Sequence, residues 1–174
     1  MLRILSILFI STLTSFAHPH EDLPVDASEE ARLALAKAKK FGLAEGLPHP
    51  AKETEFFTAE AKRKDTQQIT GFFFYKPDQK LDPATTESLK KIIADSANLT
   101  EWKEKKRCGG FHADWSLNWR RGWTKDHAII CFSCEEIIYI SGDYQLRYNL
   151  TPAAAKQLKS LLNPFQSKRP ASKR

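Results

Sequence analysis

The sequence predicts an α+β domain, an antiparallel sheet of about five strands with helices packed on one face. Three observations predict it. Residues 111–119 alternate strictly between apolar and polar side chains, and an apolar, β-branched run follows at His127–Cys134. Asp82-Pro83 and Thr151-Pro152 each open a stretch with helical periodicity. Gly142-Asp143 sits between two further apolar-rich runs, where a two-residue hairpin turn fits.

The chain has 174 residues. Residues 1–17 read as a cleavable signal peptide. Arg3 supplies a positive charge, Ile4 to Leu13 is an apolar run, and Ser15-Phe16-Ala17 places small residues where a signal peptidase cuts. That run is short of the ~20 residues a bilayer core requires, and no later segment could span a membrane. The mature chain is expected to be exported, periplasmic or secreted, with no transmembrane segment.

Residues 18–50 are expected to hold an N-terminal helix and a linker. Asp26-Ala27-Ser28-Glu29 has the form of a capping box, the Ala-rich helix ends near Phe41, and Gly42 fits its terminating position. Gly46, Pro48 and Pro50 follow as linker residues. Residues 51–166 form the single α+β domain. It opens with strand-like segments at Glu53–Ala59 and Gln68–Tyr75. A helix from Asp82-Pro83 to about Ala97 turns Leu89, Ile92 and Ile93 inward.

In the 111–119 strand, Phe111, Ala113, Trp115, Leu117 and Trp119 share the apolar face. Closing the next hairpin around Gly122-Trp123-Thr124-Lys125 sets Trp119 opposite Ala128, Leu117 opposite Ile130 and Trp115 opposite Phe132. It also puts His127 beside Arg120 on the polar face. The Gly142-Asp143 turn sets Tyr139 opposite Leu146 and Ile137 opposite Tyr148. Inward positions are even before Cys134 and odd after Ile137, which calls for a bulge at Cys134-Glu135-Glu136. The last helix starts at Thr151-Pro152, with Leu158, Leu161 and Leu162 inward and Pro164 closing it.

Residues 167–174 form a basic tail with four Lys and Arg and no acid. With that tail and Arg3 set aside, 22 Lys and Arg face 21 Asp and Glu. The folded part is therefore near neutral, and no nucleic-acid role is expected. Neither a Ser/His/Asp arrangement nor a phosphate-binding glycine loop is present.

What chemistry the sequence offers lies in its three cysteines, Cys108, Cys131 and Cys134. Export implies an oxidising compartment and an odd thiol. Cys131-Phe132-Ser133-Cys134 lacks the following His of a haem-attachment motif and the helix N-terminus of a redox pair. Two readings stay open. Cys108, His112, Cys131 and Cys134 could form a metal- or thiol-dependent site, with zinc or copper as the metal. Otherwise the cysteines are structural, one disulfide and one buried thiol. In a regular strand Cys131 and Cys134 point to opposite faces, which opposes a cluster. After cleavage, the His18 amine and imidazole could chelate copper, with His20 as a third nitrogen.

Cys108-Gly109-Gly110-Phe111-His112 followed by Ile130-Cys131-Phe132-Ser133-Cys134 resembles a group of small exported bacterial proteins of uncharacterised function. The resemblance covers Thr66 to Phe165. It implies a bacterial envelope or secreted location and an α+β fold, and it supplies no activity. Function is accordingly expected to be a non-catalytic binding or interaction module with an envelope or extracellular partner; the metal- or thiol-dependent site is the alternative.

Overall fold

The computed structural model describes residues 32–47, 65–102, 110–142 and 144–167. The signal peptide, the capping box, His18, His20, the Glu53–Ala59 segment, Cys108 and the tail from Lys168 onward lie outside the described residues.

The protein is built on a seven-stranded antiparallel sheet in the order β4-β1-β6-β7-β8-β9-β5, beside a two-stranded sheet β2-β3. The strands are β1 (Gly42–Glu45), β2 (Thr66–Ile69), β3 (Phe72–Tyr75), β4 (Gln79–Lys80), β5 (Leu99–Glu101), β6 (Trp115–Arg121), β7 (Thr124–Cys131), β8 (Glu136–Ser141) and β9 (Tyr144–Leu150). Two α-helices, α1 (Pro83–Ala94) and α2 (Pro152–Leu162), join a helical stretch at residues 32–37.

Both α-helices start as the sequence predicts. Asp82 accepts a hydrogen bond from the Thr85 amide (2.9 Å) and Thr151 Oγ1 accepts one from Ala154 (3.3 Å), with Pro at the first helical position in each. Helix α1 ends at Ala94, short of Ala97, because Asp95 caps a separate 3-10 turn at Ser96–Asn98.

The expectation of five strands is corrected to seven in the main sheet. The added strands are too short to display a period of two: β4 has two residues, β5 three and β1 four. Gly42 does not terminate a helix. It begins β1, which lies between β4 and β6, so this part of the 18–50 segment is integral to the sheet. The Gln68–Tyr75 segment is not one strand either. Thr70 and Gly71, with φ of 45° and 89°, turn it into the β2-β3 hairpin.

One face of the sheet carries Leu43, Trp115, Leu117, Trp119, Ala128, Ile130, Ile137 and Tyr139. They pack with Leu35, Leu89, Ile93, Leu158 and Leu162 from the helical segments. Phe41 meets Trp119 edge-to-face at 5.9 Å. The other face is covered as well: Ala44, Ile129, Ile138 and Ile140 pack with Ile69 and Phe74 of the β2-β3 hairpin. Residues 128–131 of β7 and 137–140 of β8 are therefore apolar on both faces, and each fully buried Ile or Leu contributes about 1.5–3 kcal/mol. Tyr139 reaches from the sheet to α1, donating to the Ile93 carbonyl at 2.6 Å.

The β6-β7 register differs from the predicted one. Trp115 lies opposite Ile130, Leu117 opposite Ala128 and Trp119 opposite Asp126. The reason is a tighter turn. Gly122, at φ 60°, and Trp123 alone link Arg121 to its partner Thr124, and glycine first is what a two-residue turn requires. The shift preserves parity, so Trp115, Leu117 and Trp119 still share a face with Ala128 and Ile130. Phe111 and Ala113, expected on that face, instead precede β6 and pack against the opposite core with Ile129 and Ile138. The β8-β9 register has Tyr139 opposite Leu146 and Ile137 opposite Tyr148, as read from Gly142-Asp143.

The expected bulge does not occur. Cys131 pairs with Glu136, and Phe132 to Glu135 form a turn between separate strands, with Glu135 at φ 52°. Parity changes there because the chain reverses direction.

Candidate functional site

Of the residues chosen from the sequence as metal ligands, His112, Cys131 and Cys134 are described. Residues 110–114 are not a strand; they cross the end of the sheet next to the β7-β8 turn. The Asp114 carboxylate accepts from the Phe132 amide at 2.7 Å, and the Asp114 amide donates to the Ile130 carbonyl at 2.8 Å. These bonds bring His112 to Cys131 through the backbone: the His112 amide donates to Cys131 Sγ at 3.3 Å. Ser133 Oγ lies 3.2 Å from the same sulfur. Cys131 is a free thiol with no exposed surface. Cys134 is disulfide-bonded, and its sulfur lies 3.2 Å from the Gly110 carbonyl oxygen.

Cys131 thus ends β7 while Cys134 lies within the hairpin turn, so the two do not share one strand. Among the described residues, no three His, Cys, Asp or Glu side chains come together as a group able to hold a metal ion.

A different feature has the shape of a binding site. The helical stretch at residues 32–37 and the turn after it, β4 with the start of α1, and the β6-β7 hairpin enclose a cleft of about 1410 Å³. Its apolar wall includes Leu33, Phe41, Leu81 and Trp119. Seven cations line it: Lys37, Lys39, Lys40, Lys80, Arg120, Arg121 and Lys125. Two carboxylates line it as well, Asp78 and Glu87, and both are engaged. Glu87 is paired with Lys90 at 2.9 Å, and Asp78 accepts from Asn118 Nδ2 at 2.8 Å and Gln67 Nε2 at 2.6 Å. Arg121 bonds the buried Asp126 at 3.2 Å and donates to Ser141 Oγ at 2.8 Å. The other six cations make no ion pair among the described residues.

The polar end of the cleft is braced from within the sheet. Asn118 Oδ1 accepts from Ser116 Oγ at 2.8 Å and lies 2.7 Å from His127 Nδ1, while its amide reaches Asp78. The register that replaces the predicted one puts His127 opposite Asn118 and not beside Arg120. His127 is buried, contrary to the surface position expected for it. Burial, with the nearby Lys125 charge second, lowers its pKa to about 4, against the pull of Asp126 and Asp78.

Sequence reasoning missed the cleft. Its signal was the spacing of Lys37, Lys39 and Lys40 against Arg120, Arg121 and Lys125. A near-neutral sum over the folded part conceals such local sorting. Comparison with known protein families, with curated proteins and with solved structures finds no match.

Proposed function

We propose that this protein is an exported, non-catalytic binding module whose cleft takes an extended, multiply charged anion. One observation carries the reading: among the described residues, seven cations from three separate segments converge on one cleft, against two carboxylates that are already engaged. Such convergence keeps like charges close together, an arrangement that an anionic ligand relieves. The cleft exceeds the ~300–1,000 Å³ of ordinary small-molecule sites and is walled by apolar side chains, which suits a segment of an anionic polymer. Export rests on the Arg3, Ile4–Leu13 and Ser15-Phe16-Ala17 pattern, and the resemblance to small exported bacterial proteins supports it.

The cysteines take a structural role in this reading, with Cys108 as the disulfide partner of Cys134. Cys131 is free and Cys134 is bonded; Cys108, the remaining cysteine of the sequence, lies outside the described residues and is the partner assigned in this proposal. The metal- or thiol-dependent alternative has no observation in its favour among the described residues. A metal site needs thiolates, and a disulfide sulfur is not one.

The test is binding of dextran sulfate, with neutral dextran as control. The full chain should bind the sulfated polymer with an affinity that falls steeply as salt rises. Lys40→Glu combined with Lys80→Glu should weaken binding at least tenfold without lowering the unfolding temperature, since both side chains are exposed. Equal binding of the two dextrans, or no effect of the double reversal, overturns the reading.

A further inference from the structure

The described part of the protein exposes three large hydrophobic side chains: Leu33 at 46%, Tyr144 at 54% and Trp123 at 100%. Trp123 has no contact to explain it, since no part of its surface is covered. It occupies the apex of the β6-β7 turn, where Gly122 satisfies the backbone geometry and leaves the second position unconstrained. Arg120, Arg121 and Lys125 flank it, and the tip carries no acid before Asp126, which is fully buried and paired with Arg121. Tyr144 opens β9 in the neighbouring hairpin, directly after Asp143, an acid that lies outside the described residues. Asp126 pairs with Ser141 and Ser141 with Tyr144, so both hairpin tips project from the same end of the sheet. Leu33 lines the cleft together with Arg120, Arg121 and Lys125.

Aromatic side chains with a polar handle settle at the headgroup level of a bilayer, and Lys and Arg beside them are drawn to anionic lipid. We infer that the Trp123 hairpin tip, with the exposed Tyr144 at the same end of the sheet, docks this protein peripherally onto an anionic phospholipid surface, with Arg120, Arg121 and Lys125 against the headgroups. Charge complementarity selects the lipid: a zwitterionic surface offers the aromatics the same interface and the three cations far less. No helix among the described residues is long and apolar enough to cross a membrane, so contact through the tips is peripheral. The inference shares three cations with the anion-binding reading and rests on it to that extent. Its own observation is the uncovered indole.

The experiment uses the full chain and its Trp123→Ala variant with vesicles of equimolar phosphatidylglycerol and phosphatidylcholine, and with phosphatidylcholine alone. Any contribution of the apolar Ile4–Leu13 run is common to both proteins. The wild type should partition onto the anionic vesicles at least tenfold more strongly than onto the zwitterionic ones. Its tryptophan emission should be quenched by brominated lipid, and the quenching should be lost in Trp123→Ala, because Trp115 and Trp119 are buried, Trp102 is half-buried and Trp123 is fully accessible. Trp123→Ala should lose at least tenfold in anionic partitioning at an unchanged unfolding temperature, and keep its binding to dextran sulfate. Wild-type partitioning in the variant, or equal partitioning onto both vesicles, overturns the docking inference and leaves the cleft reading intact. Parallel loss of vesicle and dextran sulfate binding in Trp123→Ala also overturns it, since the tip then belongs to the polymer site. Vesicle binding without dextran sulfate binding overturns the cleft reading alone.

Discussion

A Cβ placed on Gly42 would stand 2.7 Å from Oδ2 of Asp78. The approach is tight because Asp78 leans over the start of β1 to reach Asn118 and Gln67 at once. Gly42 is thus a space requirement at the cleft's polar end. Gly42→Ala should force Asp78 aside, lengthen its two hydrogen bonds and destabilise the protein by about 1–3 kcal/mol, the usual penalty of overpacking. Urea unfolding should show a lower midpoint at an unchanged slope. Gly42→Ala combined with Asp78→Ala should recover part of the loss; if the double variant is no better than the sum of its parts, the contact is not the cause.

His127 makes stability depend on pH. Its folded pKa of about 4 lies below the ordinary 6.5, so the folded protein holds a neutral imidazole where the unfolded chain binds a proton. Between these values the unfolded state carries more protons, and stability rises with pH. The contribution is complete above the unfolded pKa, declines as pH falls from 6.5 toward 4 and is gone below the folded value. His127→Gln should flatten the stability profile across that window. An imidazole that titrates near its ordinary value by NMR would remove the basis of this prediction.

The legible parts of the fold were those with enough length to show a period or a capping pattern: the α1 and α2 starts, the β6 apolar face and the β8-β9 register. Strands β1, β4 and β5 were too short to alternate, and Gly42 looked like a helix end because its packing partner Asp78 is distant in sequence. The cleft was illegible for a related reason. Lys37, Lys80 and Arg120 become neighbours only when β1 inserts between β4 and β6. The cysteine stretch was misread through one assumption, a single strand running across residues 131–137. A hairpin turn there leaves both cysteines buried, Cys131 free and Cys134 bonded.

That difference gives the cysteines a sharp test. Thiol counting under denaturing, non-reducing conditions should find one free thiol, and peptide mapping should assign it to Cys131 and link Cys108 to Cys134. In the native protein Cys131 should resist alkylation, because its sulfur has no exposed surface and lies beneath the Phe132–Glu135 turn. Reduction should destabilise the protein by about 3–4 kcal/mol, since the disulfide closes a loop of roughly 25 residues. A bridge between Cys108 and Cys131 would reverse the assignment of free and bonded cysteine, and with it overturn the geometry of the β7-β8 turn. Three free thiols with bound zinc would restore the metal alternative, in which chelation should unfold the protein and release the thiols together. The structural outcome is expected because Cys134 is already bonded while the Cys131 sulfur is occupied by the His112 amide and Ser133. Cys131→Ala should then lower stability by about 1 kcal/mol through lost packing and leave dextran sulfate binding unchanged.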